Sequence, residues 1–297
     1  MINNKEKHAY LIMAHSNIEQ LNFLLETLDS KYADIFLHID IKSEIDKDSI
    51  IKLKFSNIEI IKEVSVFWAD FSQVECELLL LKRAVKKGYS YYHLISGLDF
   101  PLMSTEKIYR KLESCNKLFI HFTTEENLNE TISFVKYYSC FQKKLHIVNR
   151  GKQFSIYKVI NKLSLLCQKV IGINRIQSNL QIKKGANWFS IPNDFAEYII
   201  KNEPFIYKQF SNTRSADEFF VQTLVYNSSF RNRIYHFKQD DSYESCLRVI
   251  DWKRGTPYIF TCKDIDELKS SKMIFARKFD YNVDKKVLID LRDWINK

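Results

Sequence analysis

The chain predicts an α/β fold built on a mostly parallel sheet flanked by helices. Three observations carry that expectation. Strand-length apolar runs recur through the first hundred residues: Ala9–Ala14 (AYLIMA), Asp34–Ile39 (DIFLHI), Ile58–Ile61 (IEII) and Ser90–Ser96 (SYYHLIS). Segments with helical spacing lie between them, at Ile18–Leu28 and Phe71–Lys87, and such alternation implies crossover connections between parallel strands. The 297 residues are 45% hydrophobic, with 22 Phe and 16 Tyr, so a sizeable core can be buried and wholesale disorder is excluded.

A polar helix is expected around Asp46–Lys54. In the less regular second half, Ser104–Leu112 and Phe154–Ile171 have helical patterns, Asn187–Ile191 (NWFSI) and Tyr258–Thr261 are strand candidates, and Asp217–Val225 opens another helix. With 6 Gly, 4 Pro and no repeat or low-complexity stretch, nothing marks a linker, and one continuous domain over 1–297 is expected. Ligands of such sheets bind beyond the carboxyl ends of the strands. Those ends carry Ala14-His15, His38-Ile39-Asp40 and Ser96-Gly97-Leu98-Asp99, which should meet in one crevice.

Net charge is +9, concentrated in one place. Between Thr131 and Asn193 there is no Asp or Glu, while Lys136, Lys143, Lys144, Arg150, Lys152, Lys158, Lys162, Lys169, Arg175, Lys183 and Lys184 fall inside it. Such a segment attracts polyanions. Aromatics do not interleave with it as a base-stacking platform requires, so no nucleic-acid partner is expected. Lys158, Lys162 and Lys169 lie near one face of an otherwise apolar helix. That pattern suits peripheral contact with an anionic membrane through residues 131–193, or an ordinary core-facing helix with solvated lysines. The six cysteines, at 76, 115, 140, 167, 246 and 262, are too scattered for zinc or a disulfide framework and are expected to be buried free thiols. No signal-like or membrane-spanning run stands out, so a cytoplasmic location is expected, with peripheral attachment to the inner face of the plasma membrane.

Neither G-x-G-x-x-G nor G-x-x-x-x-G-K-[ST] occurs, so no glycine-rich loop is available to cradle phosphates. Two Asp-x-Asp strings, Asp46–Asp48 and Asp264–Asp266, sit in polar stretches that look like helix starts, where acids suit the macrodipole.

Six segments occur in a telling order: AYLIMAHSN (Ala9–Asn17), HIDIKS (His38–Ser43), SGLDFPL (Ser96–Leu102), GANWFSIP (Gly185–Pro192), SADEFFVQTL (Ser215–Leu224) and FARKFD (Phe275–Asp280). Together they resemble the core-2/I-branching β-1,6-N-acetylglucosaminyltransferases and peptide O-xylosyltransferases, glycosyltransferase family 14. The resemblance runs from about Ala9 to Asp280 and is weakest between about 120 and 180. It implies a GT-A-type fold, with about 1–105 binding the nucleotide sugar and about 106–297 binding the acceptor and carrying catalysis. It also implies inverting transfer from a UDP-sugar, without a divalent metal, onto a glycan or lipid-linked acceptor. N-acetylglucosamine and xylose are the family's donors, and the composition suggests a bacterial surface-polysaccharide enzyme.

By the same resemblance Glu218 is the catalytic base, His15, Asp40, Asp99, Arg254 and Lys278 bind the donor, and Asn187, Trp188 and Asp217 bind the acceptor. Arg254 and Lys278 would stabilise the departing diphosphate as a metal does elsewhere. Their spacing departs from the family pattern by about one residue, leaving Lys253 and Arg277 as substitutes. Each residue also has a plainer reading. Ser215-x-x-Glu218 has the form of a helix capping box, Asp99 can brace the turn before Pro101, His15 can be a strand-end histidine, the cations can be solvated, and Trp188 can belong to the core. A metal-dependent transferase and a non-catalytic basic module are the competing functions.

Overall fold

In the computed structural model, which describes residues 6–139, 142–143, 156–240 and 242–297, the four early apolar runs are strands. They are β1 (His8–Ala14), β2 (Ala33–Ile39), β3 (Ile58–Ile61) and β4 (Tyr91–Ser96), paired in parallel in the order β3-β2-β1-β4. Successive side chains feed two cores. Ala9 and Leu11 join Phe36 and Leu94 on one face, while Tyr10 and Ile12 join Ile35, Leu37 and Ile95 on the other. Burial on both faces is why these strands are apolar throughout.

Helix α1 (Ile18–Leu28) covers the second face with Leu21, Leu24, Leu25 and Leu28, and starts where the Asn17 side chain accepts the Gln20 N–H at 3.0 Å. Helix α2 (Ser72–Val85) covers the first face through Val74, Leu78 and Leu81, spaced one helical turn apart.

Two later strands make the sheet mixed. The strand β6 (Phe119–Ile120) pairs antiparallel with β7 (Phe189–Pro192), which pairs antiparallel with β4. Because β7 opposes β4, its beginning lies beside the end of β4, and the residues just before Phe189 arrive at the ligand-facing edge. A second sheet joins β5 (Asp99–Pro101), β9 (Phe275–Arg277) and β8 (Arg248–Ile250), with Asp99 opposite Arg277. Arg248 ties the two sheets together. Its buried guanidinium donates to the carbonyls of Leu94, Phe189 and Cys246 and to Ser190 Oγ, and rests 4.5 Å from the Phe275 ring centre. Beside it the imidazoles of His8 and His93 meet at 3.0 Å, and His93 reaches Ser190 Oγ at 2.8 Å.

Several expectations need correction. The helix expected over Asp46–Lys54 is a single 3-10 turn, Lys47–Ser49. The Asn22 side chain pairs with the backbone of Ser49 and Ile51, and the Asp29 carboxylate takes the N–H groups of Lys54, Phe55 and Ser56, so the backbone has partners outside a helix. Tyr258–Thr261 is not a strand; it follows Thr256-Pro257 and bonds irregularly to Lys278. The helix expected from Asp217 is broken into a 3-10 turn, Ala216–Glu218, and a helix, Phe220–Tyr226. Cys76 and Cys246 are buried free thiols, but Cys167 is exposed, and Cys115 and Cys262 are half-buried. Cys140, Lys144, Arg150, Lys152 and Phe154 lie outside the described residues.

Candidate active site

The ends of the parallel strands do converge. Asp40 N–H donates to the Ala14 carbonyl at 2.9 Å, and Gly97 N–H to the Met13 carbonyl at 3.0 Å. The join is close at Gly97, where a Cβ would sit 3.3 Å from that of Ala14. His15, just past β1, is exposed. Asp40 is 7% exposed; its carboxylate takes both bonds of Lys42 Nζ (2.7 and 2.8 Å) and the N–H groups of Lys42 and Val66. Asp99, also buried, accepts the Ser96 N–H and the Arg277 guanidinium, the latter at 2.9 Å. Arg277 in turn donates to Ser96 Oγ at 2.6 Å and lies over the Trp188 indole, 4.4 Å from its centre.

Trp188 and Asn187 are held by the turn that precedes β7. Gly185 N–H donates to the Glu218 carbonyl (2.9 Å), Ala186 N–H to His121 Nδ1 (3.0 Å), and Gln222 Nε2 to the Ala186 carbonyl (2.7 Å). Gly185 can be nothing larger: a Cβ would stand 1.8 Å from the His121 carbonyl oxygen. Thus the turn bearing Asn187 and Trp188 is bolted to the turn bearing Glu218.

That second turn bears on the capping reading of Glu218. Ser215 sits in the left-handed region (φ 51°), and its side chain makes no capping bond. Its N–H donates to the Ala69 carbonyl at 2.9 Å. Glu218 therefore caps no helix. Its side chain is 40% exposed and pairs with Lys184 Nζ at 3.4 Å. Burial of the remainder raises its carboxyl pKa, opposed by Lys184 and Arg214. Asp217 beside it is buried, with Oδ2 accepting Gln73 Nε2 at 3.0 Å. Burial first, then the Glu218 charge, pushes Asp217 up to about 8. A cavity of about 300 Å³ nearby is lined by Trp68, Phe134, Lys158, Asn161, Leu165 and Arg214.

The cations separate into two kinds. Arg254 is committed to three carboxylates, those of Asp251, Asp264 (2.6 Å) and Glu267 (3.1 Å), and stacks 4.2 Å from the Tyr258 ring centre. Lys278 is half-buried and has no salt bridge among the described residues. Its backbone pairs with Tyr258 and Phe260, so its strand runs beside Arg254's stacking partner. Lys253 is exposed. Asp46 and Asp264 each serve at a helix start, Asp46 accepting the Asp48 N–H and Asp264 completing a capping box with Thr261. Among the described residues no group of three His, Cys, Asp or Glu is placed to hold a metal ion.

Three members of this constellation were not singled out from sequence: Glu77, Gln73 and Lys184 as a Glu218 partner. Glu77 is the one with a legible signal. It is an acid at position i+3 from Val74 and i−4 from Leu81, on the buried face of α2. Part of the basic stretch also turns inward. Lys183 pairs with Glu125 at 2.6 Å, and Arg175 donates to the carbonyls of Tyr137, Gln209 and Asn212.

A mixed sheet with a crevice at its parallel strand ends, crossed by an antiparallel strand that delivers Trp188, is the architecture of a GT-A-type glycosyltransferase domain. The Core-2/I-Branching enzyme family model matches residues 8–273, and the chain belongs to that family. It is 26% identical over 309 residues to a beta-1,3-galactosyl-O-glycosyl-glycoprotein beta-1,6-N-acetylglucosaminyltransferase of Bos taurus, covering 93% of this chain and 66% of the relative. To the Drosophila melanogaster xylosyltransferase oxt it is 22% identical over 313 residues, covering 97% of this chain and 33% of the relative. The chain thus spans about two thirds of the first relative's length and a third of the second's.

Proposed function

We propose that the protein transfers a sugar from a UDP-sugar to a glycan hydroxyl with inversion, Glu218 acting as base. The observation that carries this reading is the freedom of Glu218 from any capping role. It is a carboxylate of raised pKa, open on one side and fixed to the turn that presents Trp188. In the proposed step the acceptor oxygen attacks the anomeric carbon, its proton passes to Glu218, and the bond to the UDP oxygen breaks. The names of the relatives supply two donor sugars to try first, N-acetylglucosamine and xylose.

Leaving-group charge is met in this reading by side-chain cations without a divalent metal. Lys278 is the chief of them. It lacks a carboxylate partner among the described residues, whereas Arg254 already answers to three. That both Asp-x-Asp strings have an acid engaged at a helix start favours the metal-free reading. The donor edge comprises His15, Asp40 and Asp99, and the acceptor edge Asn187, Trp188 and Asp217. Incubation with UDP-N-acetylglucosamine and UDP-xylose in EDTA tests this: UDP release with at least one donor is expected. Release that appears only on adding manganese or magnesium would refute metal independence.

We further propose that the acceptor is lipid-linked and approached from an anionic membrane. The helix Ile156–Ile171 has no buried residue, and it exposes Ile156, Leu163, Leu166 and Val170 together with Lys158, Lys162 and Lys169. No helix among the described residues is long and apolar enough to cross a membrane. Sedimentation with phosphatidylglycerol vesicles at low salt checks it, and a protein left in the supernatant rejects it.

A further inference from the structure

Behind Glu218 lies a pair of carboxyl groups with too few hydrogen-bond donors. Glu77 on α2 is completely buried, and neither of its oxygens completes a hydrogen bond among the described residues. The Asn187 carboxamide faces it and partly offsets its desolvation, but the contact falls short of full hydrogen-bond geometry. Asp217 is buried as well; its Oδ2 takes the Gln73 amide, while Oδ1 has no partner. Gln73 and Glu77 are one turn apart on the same face of α2, so Asp217 docks beside Glu77 through its neighbour on the helix.

Three buried carboxyl oxygens therefore have no hydrogen-bond partner among the described residues, and an ionised carboxylate in that state is costly. A carboxylic acid, by contrast, brings its own O–H donor. The charged groups around the pair do not neutralise it. Asp217 faces Glu218 and, further off, Lys184; Glu218 faces Lys184 and Arg214; Glu77 faces Asp217, with the Cys76 thiol next to it on the helix. Lys184 is engaged by Glu218 and by Asn127 Oδ1 at 2.9 Å. Two neighbouring carboxyls without a cation of their own cannot both ionise.

We infer that Glu77 and Asp217 form a proton-holding carboxyl pair whose neutral state positions Asn187 and leaves Glu218 as the ionised group facing the acceptor. Glu77 is the more firmly protonated of the two, being wholly buried with neither oxygen hydrogen-bonded among the described residues, whereas Asp217 has the Gln73 amide. Glu77 is thus a positioning residue that never touches substrate. The catalytic half of the inference rests on Glu218 being the base; the protonation of the pair does not.

The sign of the pH effect follows from linkage. The folded chain keeps protons that the unfolded chain releases above the usual carboxyl range, so the pair favours folding at low pH, and that contribution is lost as pH rises through the raised folded values. Between pH ~7.5 and 9 histidines are largely neutral in both states, and comparison of the three proteins subtracts the slope that the buried Cys76 and Cys246 thiols add toward the upper end. The full chain, Glu77→Gln and Asp217→Asn are melted across that window, and the infrared carbonyl band of a protonated carboxyl is recorded at neutral pH. Wild-type protein should show the acid band and a melting temperature that falls with pH. Glu77→Gln should lose the Glu77 part of the band, and both variants should melt with a shallower pH slope. Should Glu77→Gln not fold, Asp217→Asn carries the same comparison. If sugar transfer is observed, the alkaline limb of kcat should vanish in Asp217→Asn. An absent acid band in the wild type, or equal slopes in all three proteins, would overturn the pair. A chain with no transfer activity that still shows the band and slopes would sink the proposed function and leave the pair standing.

Discussion

Arg277 joins the two edges of the crevice: its guanidinium holds Asp99 at 2.9 Å and lies 4.4 Å from the centre of the Trp188 ring. One side chain thereby fixes the end of a parallel strand against the start of an antiparallel one. Replacing Trp188 with Ala removes the aromatic face and loosens Arg277. A guanidinium over an indole face contributes about 0.5–2 kcal/mol, depending on its exposure. The acceptor KM should rise about 3- to 10-fold, with a smaller change in donor KM. Steady-state kinetics with each substrate varied in turn check this, and an unchanged acceptor KM would remove Trp188 from the acceptor edge.

Glu218→Gln preserves shape and removes the base. Turnover should fall roughly 10²- to 10⁴-fold, while UDP still raises the melting temperature as in the parent. A variant that keeps its activity would return Glu218 to a supporting role.

The contrast between the two cations is directly measurable. Lys278→Ala should lower kcat about 10²- to 10³-fold with little loss of stability. Arg254→Ala, which leaves Asp251, Asp264 and Glu267 facing one another, should cost about 1 kcal/mol in urea unfolding. Its effect on turnover should be smaller than that of Lys278→Ala. The reverse ranking would restore Arg254 as the principal diphosphate ligand.

Acid should destabilise the fold through its buried histidines. Burial lowers His8 to about 3 and His38 to about 4, and holds His93 well below its usual range. The unfolded chain binds protons that these rings refuse, so stability is full above about pH 6.5 and is lost as pH falls below it. Each histidine contributes a slope of about 1.4 kcal/mol per pH unit until its folded value is reached. The raised Glu77 and Asp217 carboxyls oppose this slope over the same range, so urea midpoints at pH 7, 6 and 5 should decline more steeply in Glu77→Gln than in the parent, and a flat series in that variant would contradict the burial of these rings.

Gly185→Ala forces a methyl group into the His121 carbonyl and against Gln222 Nε2. We expect about 3 kcal/mol of destabilisation, with transfer activity lost at temperatures where the remaining fold persists. Circular dichroism melts paired with activity would show both effects, and a stable, active variant would disprove the close approach.

Much of the first hundred residues was legible because their periodicity and their packing agree. Ile58–Ile61 and Ile18–Leu28 are found where the pattern put them, since both faces of the sheet are buried and α1 needs one apolar stripe. The second half was harder for identifiable reasons. A two-residue strand such as Phe119–Ile120 leaves no period to detect, and β9 is recognisable only by its distant partners Asp99 and Val249. Side chains also outcompeted local propensity, as Asn22 and Asp29 do where a helix was expected. At the site, it was the family resemblance and not the residue types that pointed to Glu218, Asp99 and Trp188. Their wiring did not show, because the Arg277–Trp188 stack, the Lys184–Glu218 pair and the Gln73–Asp217 bond each join segments far apart in the chain. The Ser215-x-x-Glu218 string misled because the Ser215 side chain makes no capping bond and its N–H goes to the Ala69 carbonyl, which leaves nothing for Glu218 to reciprocate.

The reversed direction of β7 has an evolutionary corollary. Strands that run toward the crevice and a strand that runs away from it belong to separate stretches of chain, so the rim around Asp40 and the rim around Trp188 can diversify independently. Lengthening or reshaping the connection between Ile120 and Gly185 alters what is offered to one rim without rebuilding the other. A lineage with this topology can vary what meets one rim while leaving the other intact.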